Sequence, residues 1–116
     1  MRNMELGRTG EELAARYLSA RGWTILDRNV RYREGELDII AARAEVLAFV
    51  EVKTRRSSAF GPPAEAVTPR KAARIRRLAA RYLADGRARA ATIRFDVIDV
   101  LGSGDRYAVT HLEGAF

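Results

Sequence analysis

Two short stretches carry residues able to do chemistry, Gly35-Glu36-Leu37-Asp38-Ile39-Ile40 and Phe49-Val50-Glu51-Val52-Lys53-Thr54. Acids and a lysine interrupt runs that otherwise read as buried strands. Side chains alternate across a strand, so Glu51 and Lys53 share one face about 7 Å apart, and Glu36 shares a face with Asp38. If the turn is the two-residue loop Ala44-Glu45, or any even-length loop about the same centre, Asp38 opposes Glu51 and Glu36 opposes Lys53, and the four polar side chains converge. Two facing carboxylates raise each other's pKa unless a positive charge lies between them. A divalent cation resolves that conflict. Magnesium prefers hard oxygen ligands, and Asp38, Glu51 and the carbonyl of Val52 supply them. Lys53 could then hold a phosphate oxygen or orient the attacking water in phosphodiester hydrolysis. The same residues also read as cross-strand ion pairs on a solvated hairpin, each worth a few tenths to about 1 kcal/mol, or as a phosphate-binding patch. Spacing alone leaves all three readings open.

The elements that must position these groups follow from periodicity. From Glu5 to Arg21, Leu6, Gly10, Leu13, Ala14, Tyr17 and Leu18 recur at helical spacing, and Gly22 is the stop signal. On this helix Glu11 falls about 100° from the centre of the apolar stripe and Glu12 about 160°, so Glu11 borders the core and Glu12 faces water. Glu11 could lean over the sheet edge toward a metal or its waters, or serve only as an early-helix acid favoured by the macrodipole. Trp23–Arg33 reads as a strand bent or bulged near Asp27 to Asn29, and Glu36–Ala42 with Val46–Thr54 as a hairpin. A loop rich in Ser, Gly and Pro spans Arg55 to Val67. Thr68 and Pro69 then open a helix whose stripe, Ala72, Ile75, Leu78, Ala79, Tyr82 and Leu83, ends before Asp85-Gly86. Strands at Thr92–Leu101 and Arg106–Leu112 complete the order αβββαββ. The second helix is long enough to return the chain so that the fourth strand runs parallel to a neighbour, which predicts a mixed sheet flanked by helices.

The chain has 116 residues and a formal charge of +6. That is the length of one domain, expected to span 1–116. The second helix carries Arg70, Lys71, Arg74, Arg76, Arg77 and Arg81 with no acid from Thr68 to Ala84, six cations that match the whole excess. A phosphate backbone suits such a surface, and a solvated helix face is the alternative. Arg55 and Arg56 follow the Glu-x-Lys strand directly and could track a substrate strand, while Lys71, in the first turn, could reach toward the acids. With no cysteine, disulfide frameworks, thiolate metal sites and Cys nucleophiles are excluded. His111 is the only histidine, so it has no partner for a His-rich metal site; it reads as a strand residue with a satisfied hydrogen bond. Asp96 and Asp99 differ by three positions and should point to opposite faces. The longest apolar stretch, Val46 to Val50, is far short of the roughly 20 residues of a spanning helix. A cytoplasmic protein without a membrane association is expected.

The motifs Gly7-x-x-Gly10-Glu11-x-x-Ala14-x-x-Tyr17-Leu18, Gly35-Glu36-Leu37-Asp38-Ile39-Ile40, Phe49-Val50-Glu51-Val52-Lys53-Thr54-Arg55, Phe60-Gly61, Lys71 and Arg94-Phe95-Asp96-Val97 resemble those of the YraN-like uncharacterised protein family. That family is similar in pattern to archaeal Holliday-junction resolvases and to the PD-(D/E)xK restriction-endonuclease-like superfamily. The resemblance implies a three-layer α/β/α fold with a central mixed sheet and a Mg²⁺- or Mn²⁺-dependent endonuclease site acting on DNA, branched or structured forms included. It assigns Asp38 and Glu51 as metal ligands, Lys53 as the catalytic lysine and Glu11 as the helix acid. Leu37 stands where the superfamily name has proline. Arg55, Arg56, Arg70, Lys71, Arg74 and Arg77 would hold the nucleic acid, and by analogy with junction-cutting relatives a homodimer is expected. The competing expectations are a non-catalytic nucleic-acid-binding module of the same fold and a protein-interaction subunit whose basic helix docks on an acidic partner.

Overall fold

The computed structural model describes residues 3–57, 67–103 and 105–116, with the side chains of residues 3–7 and 103 left aside. Its elements are α1 (Asn3–Ala20), β1 (Thr24–Tyr32), β2 (Gly35–Arg43), β3 (Val46–Arg55), α2 (Pro69–Ala84), β4 (Thr92–Ser103) and β5 (Arg106–Leu112). This is the order αβββαββ, with the strands joined in one sheet in the sequence β1-β2-β3-β4-β5. The β1–β2, β2–β3 and β4–β5 pairs are antiparallel and β3–β4 is parallel. The Phe60-Gly61 motif, Ser58, Pro62, Pro63 and Gly104 lie outside the described residues.

Each helix covers one face of the sheet. Ala14, Ala15 and Leu18 of α1 bury themselves with Trp23 against Ile39, Ala41, Ala48, Val50, Ile98 and Val100. Ile75, Leu78, Ala79 and Tyr82 of α2 do so against Ile40, Leu47, Phe49 and Phe95. The period-2 alternation of β2, β3 and β4 therefore sorts their apolar residues into two cores, and the three-layer α/β/α arrangement follows. Phe49 anchors the second core, stacked on Phe95 at 5.6 Å and edge-on to Tyr82 at 5.8 Å between ring centres.

The termini of the helices are built as the sequence predicts. Gly22 adopts φ +88°, a left-handed stop that a side chain would strain, and the Trp23 amide returns to the Leu18 carbonyl at 3.1 Å. Thr68 caps α2, its hydroxyl accepting the Lys71 amide at 3.2 Å, and Pro69 opens the helix without needing a donor. The expected irregularity of β1 is present: the register against β2 shifts between Ile25 and Asp27, and Asn29 takes φ +53°. His111 makes the expected bond, its Nε2 lying 2.7 Å from Asp96 Oδ2. Among the described residues no helix is long and apolar enough to cross a membrane.

Candidate active site

The hairpin has the predicted turn and register, with Arg43 opposite Val46 and the pairs running out to Ile39 opposite Val50. There the ladder stops. The next residue of β2, Asp38, uses its side chain instead, Oδ2 accepting the Val52 amide at 2.9 Å. From this point β2 pairs only with β1 and β3 only with β4, so the sheet splits into a fork.

The alternation of β2 also breaks here. Leu37 is buried with Ile40 in the α2-side core, whereas strict alternation would place it with Ile39 on the α1 side. Across from this break, between the pairs Arg28–Ile39 and Val30–Leu37, sits Asn29 with its positive φ. Two strands thus turn over together, and the change of face delivers Asp38 to the fork.

Glu51 follows Val50 on β3 and its side chain is only 11% exposed. Its Oε1 lies 2.8 Å from the Lys71 ammonium, which α2 brings in from its first turn. The proximity of Asp38 and Glu51 is visible in the Asp38 pKa. Burial first, then the Glu51 charge and a hydrogen bond with Glu51, push it up to about 8, against the opposing Val52 hydrogen bond.

Glu11 joins from α1. Gly10 makes this possible, because a Cβ there would run into the Thr54 side chain on β3. The helix therefore lies directly on the strand just past the fork. Glu11 is partly buried, and burial, with the Glu36 and Glu51 charges, raises its pKa although Arg28 opposes the rise. The Asn29 amide nitrogen, in the orientation that satisfies both groups, donates to the two Glu11 oxygens at 2.8 and 3.2 Å. Glu12 faces water as predicted, bonded to Arg16 and Arg28.

Two sequence expectations need correction. Glu36 does not oppose Lys53, because the β2–β3 ladder ends before reaching either; it stands opposite Arg31 of β1 and pairs with it at 3.3 Å. The four polar groups of the hairpin therefore do not converge as one cluster. Lys53 is exposed, and no ion pair among the described residues involves it.

The basic residues divide by their contacts. Arg55 turns inward, its Nε 2.7 Å from the buried Asp99, rather than outward along a loop. Asp99 and Asp96 accordingly have separate partners, Asp96 being held by Arg94, His111 and the Gly114 amide. On α2, Arg76 stacks on Phe95 and donates to the Phe116 carbonyl at 2.7 Å, while Arg81 lies over the Tyr32 ring. Arg70, Arg74 and Arg77 are exposed, as is Arg56 on the strand exit. Arg74, Arg77 and Arg81 line a cavity of about 270 Å³ with Glu34 and Leu78.

Sequence reasoning missed Asn29 as a partner of Glu11. The signal was present in Asp27-Arg28-Asn29, turn-forming residues in mid-strand. It underrated Lys71, whose first-turn position gave only a hint.

The donor chemistry at the fork suits a hard divalent ion. Asp38 and Glu51 are oxygen donors in one partly desolvated place. The N–H and C=O of a strand residue face the same edge, so the Val52 carbonyl faces the side of Asp38, where ladder pairing has ended. Among the described residues no group of three or more His, Cys, Asp or Glu is arranged to hold a metal, so the site would consist of two carboxylates and a carbonyl.

A three-layer α/β/α chain with paired carboxylates at a fork in its mixed sheet is the class defined by this geometry. The profile of the uncharacterised protein family UPF0102 matches residues 10–100, and the chain belongs to that family. It is similar to a UPF0102 protein of Frankia casuarinae, 54% identical over 112 residues that cover 96% of this chain and 95% of the relative. A UPF0102 protein of Rhodococcus jostii is 50% identical over 115 residues, covering 98% of each. One from Syntrophomonas wolfei is 46% identical over 114 residues, covering 98% of this chain and 99% of its own.

Proposed function

We propose that this protein is a Mg²⁺- or Mn²⁺-dependent endonuclease that hydrolyses phosphodiester bonds in DNA, branched or structured forms included. The observation that carries the reading is the meeting of Asp38 and Glu51 at the end of the β2–β3 ladder, where burial and mutual repulsion leave Asp38 short of positive charge. Asp38, Glu51 and the Val52 carbonyl would hold the ion. When bound, it would supply a water of lowered pKa and offset the charge that builds on the phosphorus oxygens. Lys53, exposed on the same strand, would orient a water or hold a phosphate oxygen. Glu11, its proton affinity raised and its orientation fixed by Asn29, is the auxiliary acid at the rim. Arg56, Arg70, Arg74 and Arg77 supply an exposed cationic track for the phosphate backbone, with Lys71 at its inner end. Arg55 supports the strand exit through Asp99. A homodimer would place two such sites on one branched substrate.

Cleavage of a panel of branched, flapped, linear and single-stranded DNA with added Mg²⁺ or Mn²⁺ tests this reading. Wild type should cut and Glu51→Ala should not. Cutting that survives Glu51→Ala, or is indifferent to metal removal, refutes it.

One observation favours a second reading, a non-catalytic nucleic-acid-binding module. Lys71 supplies Glu51 with a compensating charge from the protein itself, at 2.8 Å. In that case Mg²⁺ would not raise the melting temperature of wild type relative to Asp38→Ala, and DNA binding would persist without cleavage.

A further inference from the structure

Lys71 sits where a helix does not want a lysine. It occupies the third position of α2, in the first turn, where the macrodipole favours acids and opposes cations, and that turn contains no acid to offset it. The compensation comes from outside the helix, in the 2.8 Å bond between its ammonium and Glu51 Oε1. Glu51 is nearly buried while Lys71 is 31% exposed, so the ammonium plugs the site from the solvent side.

The rest of the site leaves an incoming ion little alternative. Asp38 Oδ2 is already engaged with the Val52 amide. The apolar void that Leu37, Ile39, Phe49, Val50 and Ile75 line beside the two acids has no room for a sphere the size of a water molecule, so an ion does not reach them from that side. An ion at the usual Mg–O distance of about 2.1 Å from Glu51 would stand close to an ammonium bonded to the same carboxylate, and the two positive charges would repel strongly in so dry a place.

We infer that Lys71 is a built-in counter-cation of Glu51, and that a divalent ion binds by displacing its ammonium from that carboxylate. This rests on the metal-site reading above and adds to it a competitor supplied by the protein itself. The lysine offsets the Glu51 charge and so sets how tightly that carboxylate takes the metal. The ammonium is bonded to Oε1, and ion and ammonium repel each other across one carboxylate, so each weakens the other's hold and removing one strengthens the other.

Mn²⁺ binding measured calorimetrically for wild type, Lys71→Met, Lys71→Arg and Glu51→Gln tests the inference. Lys71→Met should bind Mn²⁺ at least about fivefold more tightly than wild type, the lower end of typical coupling between linked sites, and Lys71→Arg should stay near wild type. Equal or weaker binding by Lys71→Met, with wild type binding and Glu51→Gln not, overturns the displacement and leaves the metal site standing. Failure of wild type and Lys71→Met alike to bind overturns both. A second measurement needs no variant at Lys71. The side-chain NMR resonance of Lys71 in wild type should shift on saturation with Mg²⁺, and a resonance that stays fixed while Mg²⁺ raises the melting temperature refutes displacement.

Discussion

The Asp38 carboxylate accepts the Val52 amide at 2.9 Å, so a side chain stands where a backbone carbonyl of β2 would have continued the ladder. One residue thereby ends the strand pairing and becomes a member of the acid group that the ended pairing exposes.

That position makes Asp38 a cost to the metal-free fold. Its carboxyl titrates near about 3.9 in an unfolded chain and at about 8 in the folded one. Below about pH 4 both states are protonated and nothing is lost. As pH rises toward 8 the unfolded chain ionises and the folded one does not, so stability falls, then levels off. Asp38→Asn should stabilise the metal-free protein by up to about 5 kcal/mol near pH 8 and by almost nothing near pH 4. Urea midpoints at the two pH values decide it.

Asp96 behaves in the opposite sense. Burial works to raise its pKa, but hydrogen bonds from His111, Arg94 and the Gly114 amide outweigh burial and leave it lowered. Its contribution is present above the unfolded carboxyl value and is lost as pH falls through the lower folded one. Asp96→Ala should cost about 3–5 kcal/mol at neutral pH, since it leaves the Arg94 guanidinium and the His111 ring without their buried acceptor. The loss should shrink on acidification, read by denaturant unfolding against wild type.

Gly10→Ala should destabilise by about 1–3 kcal/mol, because the new methyl group meets the Thr54 side chain and α1 must lift from β3. The lifted helix carries Glu11 away from the fork. Adding Thr54→Ala should recover part of the loss, a coupling that a double-mutant cycle in urea would measure. Additive costs would show that the helix and strand do not touch there.

If α2 grips a phosphate backbone, replacing Arg74 or Arg77 with Ala should lower the slope of log affinity against log salt by about one each on duplex DNA. Arg76→Ala should leave that slope alone and reduce stability, since its guanidinium is spent on Phe95 and the Phe116 carbonyl. Fluorescence anisotropy across a salt series separates the two.

Element order, the hairpin register, the parallel return of β4 and both helix caps were legible because each rests on a local signal: periodicity, an N-capping Thr before Pro69, Gly22 after the last apolar residue. The nearness of Asp38 to Glu51 was legible for the same reason, although the ladder ends one pair short of them. Glu36 was misread because the register was extended past the point where the strands separate, and that separation depends on a face change at Asn29 and Asp38 that no alternation rule contains. The Lys71–Glu51 bond joins residues twenty positions apart through the docking of α2, and only tertiary packing sets it. Arg55 read as a surface cation because Asp99, its buried partner, lies on a strand paired in parallel from far along the chain.

The early end of the β2–β3 ladder also has a mechanical side. Five residue pairs beside the hairpin tip make up the whole backbone ladder between the β1–β2 leaf and the β3–β4–β5 leaf. Beyond them the leaves, like the arms of tweezers, are held by side-chain packing under the two helices and not by a ladder, so parting them there breaks fewer backbone hydrogen bonds than at the tip. The Val52 amide, held across the gap by a carboxylate alone, should then trade its hydrogen for deuterium sooner than the amides of Phe49 and Val50. Whatever bridges the jaws would slow that exchange and stiffen the sheet as a whole.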